Sequence, residues 1–190
     1  MRVLTQRLFF LLAGIASWLG TTETLWAQLP REYDVKAVFL YNFVSFVNWP
    51  DSAFPDAKAP FVIGVLGTDP FGPVLDEVVA SEQAKNRPLM VRRMTRVDEA
   101  VGCHILFISA SESRRVPEIL RKSAGKPSLL VGDFSGFAEA GGMVGFRMEG
   151  SRLKLDINVD AARAANLTIS SKLLRVARVI GKEGGNDVAK

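Results

Sequence analysis

The residues best suited to chemistry in this chain are few, and their spacing works against it. There is 1 histidine, His104, and 1 cysteine, Cys103. As neighbours in a strand they would point to opposite faces, so they do not form a nucleophile and base pair. A zinc set built from His and Cys cannot be assembled from one of each, and a purely carboxylate metal site leaves no clear sequence mark. Ser123-Ala-Gly-Lys126 has the spacing by which a lysine activates a serine one helical turn earlier. Gly125 and Pro127 end the helix there, so the two side chains do not share a helical face. Gly125-Lys126 is not a phosphate-binding loop, because Leu120 stands where its first glycine belongs. Gly64, Gly67 and Gly72 do not make a dinucleotide fingerprint, although the turn from Gly67 to Gly72 offers backbone amides to an anion. Ser109 and Ser111 lack the glycines of a nucleophile elbow. The expectation is a protein that is not an enzyme and holds no metal or cofactor.

A chain of 190 residues, 48% hydrophobic and 23% charged, is sized for one globular domain with a real core. The formal net charge of +4 comes from Lys and Arg spread along the chain, not from a basic block, so nucleic acid is not an expected partner. At the N-terminus, Arg2 and Arg7 precede the apolar run Leu8 to Leu19, and Leu25-Trp26-Ala27 ends on a small residue. That order is the pattern of a secretory signal peptide cleaved after Ala27. Thr21, Thr22, Glu23 and Thr24 interrupt the run before it reaches the ~20 apolar residues that a membrane span needs. The expected organisation is a signal peptide over 1–27, an α/β domain over 28–181 and a flexible tail over 182–190. With one cysteine, no intrachain disulfide can form, and Cys103 reads as a small buried hydrophobe.

Within the mature chain, Val35, Val38, Phe39, Asn42, Phe43, Phe46 and Val47 recur at helical spacing, predicting an amphipathic helix over 32–49 that Pro50 ends. Phe61 to Leu66 reads as a strand buried on both faces. Gly67-Thr68-Asp69-Pro70 then turns the chain into a helix over 74–80. Strands over 89–94, 105–108 and 128–131 alternate with helices over 97–100 and 112–122. Such alternation predicts a mostly parallel central sheet flanked by helices. Met143 to Met148 and Leu153 to Ile157 form an antiparallel hairpin turning at Gly150, expected to finish one edge of the sheet. Asp160 to Ala165 reads as a helical turn. Ser170 is expected to cap a last helix carrying Leu173, Leu174, Val176, Ala177, Val179 and Ile180, with Lys172, Arg175 and Arg178 as a basic stripe and Gly181 as its stop.

An ordered series of segments resembles the YfiR family. It comprises Glu32-Tyr-Asp-Val-Lys-Ala-Val-Phe-Leu-Tyr-Asn-Phe43, Phe46-Val-Asn-Trp-Pro50, Phe61-Val-Ile-Gly-Val-Leu-Gly67, Asp69-Pro-Phe-Gly72 and Cys103-His-Ile-Leu-Phe-Ile-Ser109. Leu130-Val-Gly-Asp133, Gly141-Gly-Met143, Arg152-Leu-Lys-Leu-Asp-Ile-Asn158 and Ser170-Ser-Lys-Leu-Leu174 continue it. The resemblance implies a periplasmic, dimeric regulator that binds the periplasmic sensor region of an inner-membrane diguanylate cyclase and represses it, lowering cyclic-di-GMP signalling and biofilm formation. Some relatives carry cysteine pairs; with Cys103 alone, an intrachain redox switch does not transfer here. The alternative is a periplasmic small-ligand sensor acting on another membrane receptor such as a histidine kinase, with its ligand at the strand carboxyl ends near Gly67 to Phe71. Aromatic and arginine side chains dominate binding hot spots, which nominates Tyr41, Trp49, Arg175 and Arg178 as partner- or ligand-binding candidates. Asn42, Asp133 and Asn158 match the family pattern but suit backbone capping equally.

Overall fold

Three apolar runs, Phe61–Leu66 (β2), Ile105–Ile108 (β5) and Leu129–Gly132 (β6), lie parallel with the more polar Arg87–Met94 (β4) and form the centre of the computed structural model. The structure describes residues 29–80 and 82–181. The signal peptide expected over 1–27 and the tail expected over 182–190 lie outside the described residues. From Glu32 onward the described residues form one compact unit. Every residue of β2, β5 and β6 is buried, as expected of strands covered on both faces.

The full sheet has eight strands in the order β10-β8-β7-β6-β5-β2-β4-β3. Here β3 is Gln83–Ala84, β7 Val144–Glu149, β8 Arg152–Asn158 and β10 Arg178–Ile180. Five of its seven pairings are parallel; β3 with β4 and β7 with β8 are antiparallel. This is the expected α/β class, and the β7–β8 hairpin lies towards one edge as predicted. One more strand, β10, is added outside it.

β10 overturns the prediction of a long last helix. The helix there is only Ser171–Leu174 (α5), and Arg178–Ile180 runs as a strand parallel to Asp156–Asn158 of β8. The alternation of Val179 with its neighbours satisfies either period over so short a run. The strand is held by long-range pairing with β8, where Arg178 also meets Asp156. Lys172, Arg175 and Arg178 therefore form no helical stripe. Gly181, at φ 128°, ends the strand.

The opening helix, Leu29–Phe46 (α1), stops before Trp49 because Val47–Asn48 (β1) pairs with Thr168–Ile169 (β9). Its buried face carries Lys36, Ala37, Leu40, Phe43 and Val44. Val35 and Val38, expected on that face, are 45% exposed on the flank. Phe43 stacks on Phe146 of β7 at 6.2 Å, which seats α1 on one sheet face. Fully burying each such side chain contributes roughly 1.5–3 kcal/mol. The expected helix over 112–122 begins as a 3-10 turn, Ala110–Arg115, and becomes α-helical at Val116–Ser123 (α3), where Pro117 is tolerated in the first turn. The helices over 74–80 and 160–165 are seen as Val74–Val79 (α2) and Val159–Ala164 (α4), and 97–100 is 3-10.

Candidate functional site

α1 and the segment that follows it are strapped to the two ends of the parallel strands. At their carboxyl ends, Lys36, only 2% exposed, forms ion pairs with Glu32 one turn earlier and with Asp133, the residue after β6. Tyr33 donates to the other oxygen of Asp133 at 2.8 Å, and the Lys36 ammonium lies 4.6 Å from the Tyr33 ring centroid. Burial, then the Asp133 carboxylate, pushes the Tyr33 phenol pKa up. The residues named from the helical period for the apolar face include neither Tyr33 nor Lys36. The signal that could have found them is Asp133 directly after a buried strand, where a cation must neutralise it.

At the amino ends, the Trp49 indole N–H donates to the His104 carbonyl at 3.1 Å, and its ring meets Phe61 edge-on at 4.8 Å. Val44, Trp49, Phe54, Phe61 and Ala84 line an apolar cleft of about 200 Å³, with Asp51, Lys85 and Arg87 also in its wall. Arg87 lies 4.0 Å from the Phe54 ring centroid and donates to the Asp56 and Ala59 carbonyls. Lys85 donates to Asn48 at 3.2 Å. Both cations are thus held in place beside an aromatic floor.

His104 and Cys103 are committed to structure. The Val62 N–H donates to His104 Nδ1 at 3.0 Å, which leaves the proton on Nε2 to donate to the Ala53 carbonyl at 3.2 Å. The imidazole is stacked between Phe54 and Phe61, with centroids at 4.3 and 4.7 Å. Burial, helped by the charges of Arg87 and Arg92, lowers its pKa to about 4. Neither ring nitrogen is available as a base. The buried Cys103 thiol sits under Gly64, where a Cβ would collide with its sulfur, and burial pushes its pKa up.

The turn at Gly67 is closed by the protein itself. Gly67, at φ 92°, packs against Ser111 and Glu112; Ser111 Oγ accepts from the Thr68 N–H, and Asp69 from the Phe71 N–H. Those two amides already have oxygen partners, and the cleft beside Trp49 lies at the opposite ends of the strands.

The four nominated residues do not converge. Tyr41 donates to Glu82 at 2.6 Å, just before β3, and that bond raises its pKa. Trp49 is half-buried and lines the cleft. Arg175 is exposed. Arg178 lies on β10, at the opposite edge of the sheet from β3, donating to Asp156 at 2.9 and 2.7 Å and pairing with Glu139. Arg147 reaches the same Asp156 at 3.1 Å. The Arg178 bond, then that from Arg147, holds the Asp156 carboxyl below the usual range. Asn158 Oδ1 caps α4 through the Ala161 N–H, as its position suggested.

Fold and site together define a mostly parallel α/β domain whose cleft is aromatic with fixed cations. The chain belongs to the YfiR/HmsC-like family, whose sequence profile matches residues 33–178. At the level of the family, this is a class of periplasmic regulators linked to diguanylate cyclases. No curated protein matches the chain. No helix among the described residues is long and apolar enough to cross a membrane.

Proposed function

We propose that this chain is exported, cleaved after Ala27, and acts in the periplasm as a homodimeric repressor. The domain over 28–181 binds the periplasmic sensor region of an inner-membrane diguanylate cyclase and holds that enzyme inactive, lowering cyclic-di-GMP. The observation that carries this reading is the family match across residues 33–178. Repression of this kind needs no chemistry in the repressor. It requires only tighter binding to the inactive state, and a swing from 1:99 to 99:1 takes a difference of about 5.5 kcal/mol. Tyr41, Trp49, Arg175 and Arg178 remain the contact candidates, the first two towards the β3 edge of the sheet and the last two at its β10 edge. A pull-down with tagged residues 28–190 from detergent-solubilised membranes, read by mass spectrometry, is the test. Recovery of a diguanylate cyclase is expected; repeated recovery of no membrane protein, crosslinking included, overturns the reading.

The cleft beside Trp49 favours a second reading, a small-ligand sensor that acts on another membrane receptor such as a histidine kinase. Its aromatic floor and fixed cations suit a small apolar anion. A ligand screen by thermal shift, repeated with Trp49→Ala, tests it.

A further inference from the structure

Residues 51–59 make one wall of the cleft beside Trp49, contributing Asp51 and Phe54 to it. The segment is mostly exposed, holds a single 3-10 turn, Asp51–Ala53, and among the described residues takes part in no strand pairing. Two side chains outside it bond it to the sheet. His104 donates through Nε2 to the Ala53 carbonyl at 3.2 Å, and Arg87 donates to the Asp56 and Ala59 carbonyls at 2.7 and 3.0 Å. The same two side chains hold Phe54. The guanidinium lies 4.0 Å and the imidazole 4.3 Å from its ring centroid, so they take opposite faces of it. Arg87, Phe54, His104 and Phe61 thus form one stack, in which the wall's ring sits between two groups of the sheet. A short exposed segment fastened in this way belongs to the part of a fold that opens first.

One proton acts on both fastenings. Neutral His104 uses its single acceptor on the Val62 N–H and its single donor on Ala53. A proton added at Nδ1 sets donor against donor at 3.0 Å and strips the β2 amide of its partner. The charges around the ring do not compensate. β4 brings Arg87 and Arg92, both cations, while β2 brings Phe61 and Val62 and the neighbouring thiol is Cys103. The wall carries Asp51 and Asp56, and neither bonds to the imidazole; Asp56 accepts from the Lys58 and Ala59 amides instead. The two phenylalanine faces attract a cation, but the pKa of about 4 shows that burial and the arginines outweigh them. With the wall open, the ring is in water at its ordinary 6.5. Full protonation therefore moves the closed-to-open balance by about 300-fold towards open.

We propose that His104 is an acid-released latch: one proton on its ring frees the wall over 51–59 from the sheet, uncovers Trp49 and dismantles the cleft while the sheet stays folded. The cleft is then a site that exists at neutral pH and is lost on acidification. By linkage, anything that occupies the closed cleft holds His104 neutral. The latch is a property of the domain itself and is independent of which receptor is bound.

In untagged residues 28–190, His104 is the only histidine and Trp49 the only tryptophan. Protonation of the ring, read by NMR of its imidazole carbons, and release of the wall, read by acrylamide quenching of Trp49, are thus followed separately between about pH 7 and pH 3.5. Quenching is expected to rise in a one-proton step with the same midpoint as the imidazole, between about 4 and 6.5, with far-UV circular dichroism unchanged. His104→Gln keeps a donor and an acceptor but takes up no proton, and its quenching is expected to stay level. Arg92→Gln removes a cation that opposes the charged ring, so both midpoints are expected to move together to higher pH. If His104→Gln does not fold, Arg92→Gln decides. The latch is overturned if either probe shows no step, if the two midpoints differ, or if the far-UV signal is lost within the step. The same step in His104→Gln, or an Arg92→Gln that leaves the midpoints in place, overturns it equally.

Discussion

Protonating His104 would break the hydrogen bond that its Nδ1 accepts from Val62 and place a charge between two phenylalanine rings. Its folded pKa of about 4 lies below the ordinary 6.5. As pH falls, the unfolded chain takes up the proton first, so stability is level above about pH 7 and declines between about 6.5 and 4. The loss is at most about 3 kcal/mol, from 1.36 kcal/mol per pH unit. Urea midpoints at pH 7 and pH 4.5 are expected to converge for wild type and His104→Gln, because the variant loses this slope while starting less stable. Parallel curves would remove His104 as the cause. Asp156, whose pKa is lowered, adds a further loss only at more acid pH, as its folded-state titration is reached. At the other end of α1, Lys36→Met leaves Asp133 buried without its cation. A cost of about 3–5 kcal/mol is expected. Adding Asp133→Asn is expected to recover part of it, and a double-mutant cycle in urea measures the coupling.

Among the elements, β10 is exposed to loss, being three residues long at a sheet edge. Arg178 ties it to Asp156 through two hydrogen bonds, and Arg178 is half exposed, so solvent weakens the pairing. Arg178→Ala is expected to cost about 1 kcal/mol and to speed amide exchange at Val179 and Ile180 while β2 and β5 stay protected. Equal acceleration throughout would mean that the pair supports the whole domain instead. β10 also marks where sequence pattern stops being informative. Continuous apolar runs such as Phe61–Leu66 have one good solution, a strand covered on both faces, and they were legible. Val176 to Ile180 fit a helix as well as a strand, and the strand depends on pairing with β8, about twenty residues away. β1 and β9 are two residues each and exist only because they meet, so neither has a local signature. The same holds for the site. Trp49 could be nominated from residue type, but the cleft beside it needs Phe54, Phe61, Ala84 and Arg87, which only the tertiary fold brings together.

For the whole molecule, fold and compartment separate cleanly. Cys103 is the only cysteine and is buried as a free thiol, so nothing in the domain depends on an oxidising environment to fold. Its core is instead the sheet with α1 and α2 on one face and α3 on the other, held by burial and by internal ion pairs such as Lys36 with Asp133. Residues 28–190 expressed without residues 1–27 are therefore expected to fold in the cytoplasm to the same stability as the exported form, checked by urea unfolding of the two purified proteins. Function should not survive that relocation. In a strain lacking the native copy, the exported form is expected to lower cyclic-di-GMP, while the cytoplasmic form, equally abundant and equally folded, leaves it unchanged. Lowering by both forms would place the regulated partner in the cytoplasm and overturn the periplasmic reading. Equal folding with unequal effect would assign the regulation to contact across the periplasm, since the only difference between the two proteins is the compartment in which their surfaces are presented.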